Sequence, residues 1–311
     1  MGNNCKLCGS DNLTLITQNL RFSKKGNIMK CNNCGLTFLD YDSFSIPQNF
    51  YEKEYHQKYL INIEPDAADS MKYFLKMKKT TKKWANKFRK MLKGDEIVLD
   101  VGCSTGHFIE LVKDKTKKIY GSELNKKEIE FCRNKLKLDV SGKPLNERFR
   151  EDTFDYITMI YILEHIRNAE EYLLEIKKLL KQSGKIIILV PNLMDPLMCL
   201  YDIPDFKNFY YCIEHAYYFT PKTLKFLLDK VGLKSEIEVI QEYPITNHLN
   251  WIYTKMPTDT IESRRNIPIN IADKSIYSNW EKLWEDINRL YLKFLKDNNF
   301  NDRIWCVARK N

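Results

Sequence analysis

Two copies of one short unit, Cys5-Lys6-Leu7-Cys8-Gly9 and Cys31-Asn32-Asn33-Cys34-Gly35, constrain this chain more than any other feature. Thiolates two residues apart on one tight turn can share a tetrahedral cation. The glycine that follows tolerates the positive φ that lets backbone amides point at sulfur. Residues 1–11 are polar and show neither the basic patch nor the apolar run of a secretory signal, so the expected compartment is the reducing cytoplasm, where disulfides are disfavoured. Cys5, Cys8, Cys31 and Cys34 are therefore expected to hold a metal, zinc in preference to rubredoxin-like iron, in a small ribbon over residues 1–45. Four thiolates close the coordination shell, which makes the role structural. Cys103, Cys132, Cys199, Cys212 and Cys306 lack such spacing and read as ordinary buried residues.

Beyond the ribbon, a hydrophobic content of 43% over 311 residues can fill a core. No stretch approaches the about 20 apolar residues that a bilayer requires. Tyr41 to Pro47 reads as a linker and Asn49 to Tyr59 as a tyrosine-rich helix. A longer helix is predicted between Asp69 and Leu92, because Tyr73, Phe74, Met77, Thr81, Trp84, Phe88, Met91 and Leu92 recur at three and four residues. Gly94 ends it, and from Glu96 short apolar runs alternate with helical patterns, which predicts an α/β domain with a parallel sheet. The expected strands are Ile97 to Val101, Lys118 to Ser122, Phe154 to Ile160, Lys185 to Val190, Ser235 to Glu242 and Ile304 to Ala308. Expected helices are His107 to Asp114, Lys126 to Lys137, Ala169 to Lys181, Pro221 to Lys230 and Asn279 to Phe294. The predicted organisation is thus a ribbon (1–45), a linker with N-terminal helices (46–93) and the α/β domain (94–311), whose segments 191–220 and 243–300 would cover an acceptor.

The chain has only eleven glycines, and two of them flank the first turn of the expected sheet. In Val98-Leu99-Asp100-Val101-Gly102-Cys103-Ser104-Thr105-Gly106-His107 a buried strand enters a helix through small residues. A ligand can then lie against the backbone at the carboxyl end of the sheet. By itself this loop is also compatible with a generic nucleotide site. Tyr120-Gly121-Ser122-Glu123 closes the next strand with an acid about 20 residues on, where a carboxylate can accept both hydroxyls of a ribose. This implies a free diol without a 2′-phosphate.

These residues resemble a family. Asp100-Val101-Gly102-Cys103-Ser104-Thr105-Gly106 is similar to motif I of class I S-adenosylmethionine-dependent methyltransferases. The stretch from Phe154 through Leu163-Glu164-His165 is similar to that family's fourth strand and its Leu-Glu-His signature. Leu180 to Asn192 resembles its fifth strand with the preceding turn, and Trp305 to Lys310 its last strand. The likeness covers roughly Lys93 to the end. A ribbon followed by this core resembles bacterial methyltransferases that modify sugars and nucleotide-linked sugars in surface-polysaccharide or natural-product pathways. The resemblance implies a Rossmann-like seven-stranded methyltransferase sheet, with S-adenosylmethionine as cofactor and S-adenosylhomocysteine as product. It implies that Asp100, Gly102, Cys103, Ser104, Gly106 and His107 cradle the methionine part, that Glu123 holds the ribose, that Leu124 flanks the adenine, and that Ile160 and Tyr161 complete the site. Gly142-Lys143 stands where the family usually has Gly-Asp for the adenine, and Lys181-Gln182-Ser183-Gly184 replaces its Lys-Pro-Gly-Gly turn. Ser104 replaces a middle glycine, a change that a negative φ would tolerate.

Methyl transfer from a sulfonium is an in-line displacement, so the protein has to bring the acceptor atom close and remove its proton. His165, just past the fourth strand, and His215, in Cys212-Ile213-Glu214-His215-Ala216-Tyr217-Tyr218-Phe219-Thr220, are the candidate bases. Packed histidines bonded to backbone are the plainer reading of both. A second route resembles the small-RNA 2′-O-methyltransferases and the ubiquinone-pathway O-methyltransferases: Glu164, His165 and His215 would bind Mg²⁺ or Mn²⁺ to activate a hydroxyl, although Tyr161 stands where those families place a further glutamate. Between Pro191 and Thr220 the chain is rich in Tyr and Phe with Asp195, Asp202 and Asp205, which suits sugar rings. A nucleic-acid groove would interleave Arg and Lys with the rings. The net charge of +9, from 50 Lys+Arg against 41 Asp+Glu, favours an anionic partner such as a nucleotide-linked sugar. The expected protein is a saccharide O-methyltransferase without a membrane partner. RNA or protein methylation and a non-catalytic cofactor-binding scaffold are the alternatives.

Overall fold

A computed structural model describes residues 4–41, 60–63, 65–257 and 274–311. The linker expected after Tyr41, the tyrosine-rich helix over 49–59 and part of the 243–300 segment lie outside the described residues. The chain divides into two compact units that interleave along the sequence. One comprises Met1–Ser43, Val190–Leu224 and Ile237–Trp305, the other Phe44–Leu189, Lys225–Glu236 and Cys306–Asn311. The predicted boundaries at 45 and 93 follow the chain order, whereas this division groups the ribbon with later segments.

The first unit, called here the ribbon unit, is built on a four-stranded sheet in the order β1-β2-β3-β9. Its strands are β1 (Leu13–Leu20), β2 (Lys24–Cys31), β3 (Thr37–Asp40) and β9 (Tyr217–Tyr218). The β1–β2 hairpin places Leu13 opposite Cys31. On its other side β2 pairs antiparallel with β3, Met29 facing Phe38. All four residues of β3 are buried, and its remaining edge pairs antiparallel with β9, Thr37 with Tyr218 and Phe38 with Tyr217. A two-residue strand carries too few apolar positions for its alternation to be read. It forms because β3 would otherwise bury unpaired backbone amides and carbonyls. Pro204–Tyr210, Ile245–Thr254 and Lys274–Asp297 are the longer helices of this unit.

The sheet unit carries the seven-stranded sheet, ordered β10-β11-β8-β7-β4-β5-β6. Three strands have the predicted bounds, namely β4 (Ile97–Val101), β5 (Lys118–Ser122) and β7 (Phe154–Ile160). They are joined by β6 (Val140–Ser141), β8 (Leu180–Pro191), β10 (Leu233–Ile240) and β11 (Arg303–Lys310). Parallel pairs join β4 to both β5 and β7, β5 to β6 and β7 to β8. The chain therefore runs outward from β4 through β5 and β6, then crosses back to β7 on the opposite side of β4. That reversal opens a crevice beyond the carboxyl ends of β4 and β7, the usual ligand position in such sheets.

The expected turn at Lys181–Gly184 is instead a bulge inside β8. Partners jump from Phe154↔Leu180 to Tyr156↔Lys185. Gly184 is needed there, since a Cβ would lie 2.7 Å from Leu180 Cγ and 2.8 Å from the Phe154 carbonyl oxygen. The helix Ser70–Arg89 starts on Asp69, whose Oδ1 accepts from the amides of Met71 and Lys72 at 2.9 and 3.1 Å. It buries Tyr73, Phe74, Thr81, Trp84 and Phe88, and Phe88 meets Tyr156 of β7 edge-on at 5.3 Å.

Candidate active site

At the switch point, the loop after β4 enters the helix His107–Val112 through three left-handed residues, Gly102 (φ 65), Ser104 (φ 48) and Gly106 (φ 73). The negative φ that would make a serine tolerable at position 104 is thus not adopted. The loop is pinned on both sides of the serine, by Cys103 N–H donating to the Ser122 carbonyl at 3.0 Å and Gly106 N–H to that of Cys103 at 2.9 Å. Those bonds hold a serine in a conformation that costs an L-residue about 1–2 kcal/mol. Gly102 is required on two counts: its φ is positive, and a Cβ would fall 2.1 Å from Ile162 Cδ1.

The carboxylate of Glu123 staples this loop to the end of β5. Its Oε2 accepts from Ser104 N–H at 2.8 Å and its Oε1 from the amides of Leu124 and Asn125, both at 2.8 Å. Burial pushes the carboxyl above its ordinary value while these amides pull it down. Oε1 is filled by its two amides, whereas Oε2 retains a lone-pair site for a further donor. Beside it Leu124 is 52% exposed, an apolar side chain left uncovered where an adenine was expected. Gly142 and Lys143 are exposed, and Lys143 N–H bonds Ser141 Oγ at 3.2 Å.

Asp100 is buried within β4 and accepts from Thr158 Oγ1 of β7 at 2.6 Å. Burial pushes its carboxyl up to about 7, Thr158 pulls it down, and the Glu123 charge adds to the rise. Thr158 had no signal in the sequence, because only strand pairing brings it to Asp100. His107 Nδ1 lies 3.1 Å from Thr105 Oγ1, and desolvation lowers its pKa to about 4, so the ring is neutral. The Cys103 thiol is buried and pushed up by its neighbour Cys132 and by desolvation. At the end of β7, Ile160 pairs with Leu189, and Tyr161 takes a left-handed φ of 57 while its N–H donates to the Leu189 carbonyl at 2.8 Å. Leu163–His165 forms a short 3-10 turn in which Glu164 is buried and His165 Nε2 lies 4.0 Å from Glu164 Oε1.

His215 belongs to the ribbon unit, where its ring packs 5.8 Å from Tyr218. In the same unit the four knuckle thiols converge. Cys5 Sγ is 3.6 Å from Cys34 Sγ, Cys8 Sγ is 3.5 Å from Cys31 Sγ, and all four lie within 4.8 Å of one another. Sulfurs about 2.3 Å from a tetrahedral ion sit about 3.8 Å apart, so the donor set fits such a cation. Gly9 (φ 76) and Gly35 (φ 85) adopt the positive φ the knuckles require.

The ribbon unit also buries one of the carboxylates that the sequence offers to a sugar. Asp195 is 4% exposed, and its Oδ1 accepts from Leu197 N–H at 2.8 Å. Desolvation and the Asp302 charge push its carboxyl up to about 7. Asp302 itself accepts from the Glu242 and Tyr243 amides at 2.8 and 2.9 Å. Tyr291 OH bonds Tyr201 OH at 2.9 Å and His248 Nδ1, and burial lowers His248 to about 3. Asp195-Pro196 is an N-cap signature that could have been read; the burial of its carboxylate could not.

Residues 72–236, more than half of the chain, match a family described as a methyltransferase domain, and the chain belongs to that family. The fold is that of the class I S-adenosylmethionine-dependent methyltransferases. An uncharacterized protein of Methanocaldococcus jannaschii is 36% identical over 124 residues, 38% of this chain and 50% of that protein. A ubiquinone biosynthesis O-methyltransferase of Pelagibacter ubique is 30% identical over 100 residues, 30% of this chain and 42% of that protein. The chain spans about half the length of these curated relatives or less. A crystal structure of a SAM-dependent methyltransferase from Archaeoglobus fulgidus aligns with a TM-score of 0.49 at 22% identity, covering 75% of this chain and 94% of that one. Among the described residues no helix is long and apolar enough to cross a membrane.

Proposed function

We propose that the protein is a cytoplasmic S-adenosylmethionine-dependent methyltransferase that O-methylates a saccharide or nucleotide-linked sugar. The observation that carries the cofactor assignment is the switch-point loop stapled by Glu123, with three left-handed residues that bring backbone to the crevice. Gly102, Cys103, Ser104 and Gly106 would hold the methionine portion, Glu123 the ribose and Leu124 one face of the adenine, with His107, Ile160 and Tyr161 at the margins. Bound there, the cofactor supplies an electrophilic methyl on a sulfonium. The protein's own part is to orient the acceptor hydroxyl, exclude water and take up one proton, for which His165, backed by the buried Glu164, and His215 are the candidates.

The acceptor class rests on the segment 191–220, where Tyr201, Phe209 and Tyr210 stay partly exposed and Asp202 and Asp205 are exposed, whereas Phe206, Tyr211 and Tyr218 are buried among their neighbours. Apolar ring faces beside carboxylates and hydroxyls suit sugars. The four thiols would hold a structural Zn²⁺, with no open position for chemistry.

The test is to incubate the purified protein with methyl-tritiated S-adenosylmethionine and fractionated host lysate. Label in saccharide or nucleotide-sugar fractions is expected. Label confined to RNA or protein would refute the acceptor class, and no label despite cofactor binding would leave a non-catalytic cofactor-binding protein. Turnover that requires added Mg²⁺ or Mn²⁺ and fails in Glu164→Gln would replace a histidine base with a metal-activated hydroxyl.

A further inference from the structure

The hairpin between β1 and β2 carries strain that the ribbon itself does not need. Phe22 (φ 59) and Ser23 (φ 55) are consecutive left-handed residues, and neither is the Gly or Asn that such a tight turn favours. Two residues of this kind cost about 1–3 kcal/mol each and persist only where surrounding contacts over-determine them. Those contacts belong to the preceding residue. Arg21 is half-buried, its Nε donates to the Phe209 carbonyl at 2.7 Å, and its guanidinium lies 4.2 Å over the Phe209 ring. Its backbone N–H donates to the Tyr211 carbonyl, also at 2.7 Å.

The other end of the same segment is tied to the ribbon as well. Leu39 N–H donates to the Ala216 carbonyl at 3.0 Å, and Tyr217 and Tyr218 pair with β3. Tyr218 OH closes the loop internally, accepting from Cys212 N–H at 2.9 Å and donating to the Cys212 carbonyl at 3.0 Å. Glu214 and His215 thus sit on a turn with both ends anchored to the ribbon, one by strand pairing and the other by a single arginine.

We propose that Arg21 is a positioning residue for the turn 209–218 and that the strained hairpin exists to hold it against Phe209 and Tyr211. The ribbon is then a working part of the acceptor side rather than a detachable docking module. The inference rests on the reading that this turn serves the acceptor. Tyr210 and Tyr211 also pack on Tyr218, so Arg21 adds the polar tie that fixes the 209–211 end against the ribbon, and an error near 1 Å at a reacting group can cost about 100-fold in rate.

The test compares Arg21→Gln, Arg21→Lys and the wild type, all zinc-loaded. Hydrogen exchange over 209–218, referenced to Val98–Asp100 in β4, is expected to accelerate at least tenfold in Arg21→Gln. It should stay near wild type in Arg21→Lys, which keeps a donor and a cation. With the acceptor found by the labelling experiment, kcat/KM for acceptor should fall about 10- to 100-fold in Arg21→Gln, with an unchanged dissociation constant for S-adenosylmethionine. A merely structural arginine would lower Tm and leave these constants alone. Unchanged exchange in Arg21→Gln, or faster exchange with wild-type turnover, overturns the proposal. Label in RNA instead of saccharide would refute the acceptor class while the Arg21 effect is measured on RNA. The exchange measurement is independent of either.

Discussion

Replacing Asp195 by Asn should make the ribbon unit more stable relative to wild type as pH rises. In the folded protein burial and Asp302 push the Asp195 carboxyl from 3.8 up to about 7. Between those two values the folded state binds a proton that the unfolded chain has released, so wild-type stability falls as pH climbs through this window. Above about 7 both states are ionised and the loss is complete. Lifting a carboxyl that far corresponds to about 4 kcal/mol. Because Asp195 is only 4% exposed, solvent screening does little to reduce it. Asn carries no charge to bury and still offers an oxygen to the Leu197 amide, so the N-cap survives. Urea unfolding followed by tryptophan fluorescence is the assay, since Trp251, Trp280, Trp284 and Trp305 lie in this unit and only Trp84 lies outside it. The difference in unfolding free energy between Asp195→Asn and wild type should grow by about 2–4 kcal/mol from pH 4 to pH 8, then stay level. A difference that stays constant within about 1 kcal/mol across that range would show that Asp195 is not held in its neutral form, and the argument from burial would fail.

Three further outcomes follow from the same structure. Ser104→Gly should leave stability level or slightly raised, whereas Ser104→Val should cost about 2 kcal/mol more than the glycine variant, read by Tm, because a β-branched residue resists a φ of 48. Gly102→Ala should abolish S-adenosylmethionine binding by calorimetry, and adding Ile162→Val, which removes the Cδ1 atom 2.1 Å from the new Cβ, should restore folding in part while leaving the left-handed penalty. Metal analysis should find one zinc per chain, and displacement by a mercurial should shift the tryptophan fluorescence of the ribbon unit, whereas Cys8→Ser should lower metal affinity and Tm together.

Part of this protein is decided locally and is therefore legible in the chain. The knuckles are, because ligand spacing and a following glycine are set within five residues. So are β4, β5 and β7, because short runs rich in β-branched and aromatic residues end where the backbone must turn at Gly102, Glu123 and Tyr161. Other features exist only once distant segments meet. The left-handed φ of Ser104 is set only once Glu123 takes its amide and the Ser122 carbonyl takes that of Cys103. Asp100 finds Thr158, and Asp195 meets Asp302, across more than 50 residues of chain. The two-residue β9 has no sequence signal of its own, yet by covering the open edge of β3 it joins residues 37–38 to 217–218 and makes the ribbon and the His215 turn one unit. Composition and spacing specify which groups a chain can offer. Which of them are buried together, and at what protonation, depends on desolvation and backbone pairing that arise only in the folded state.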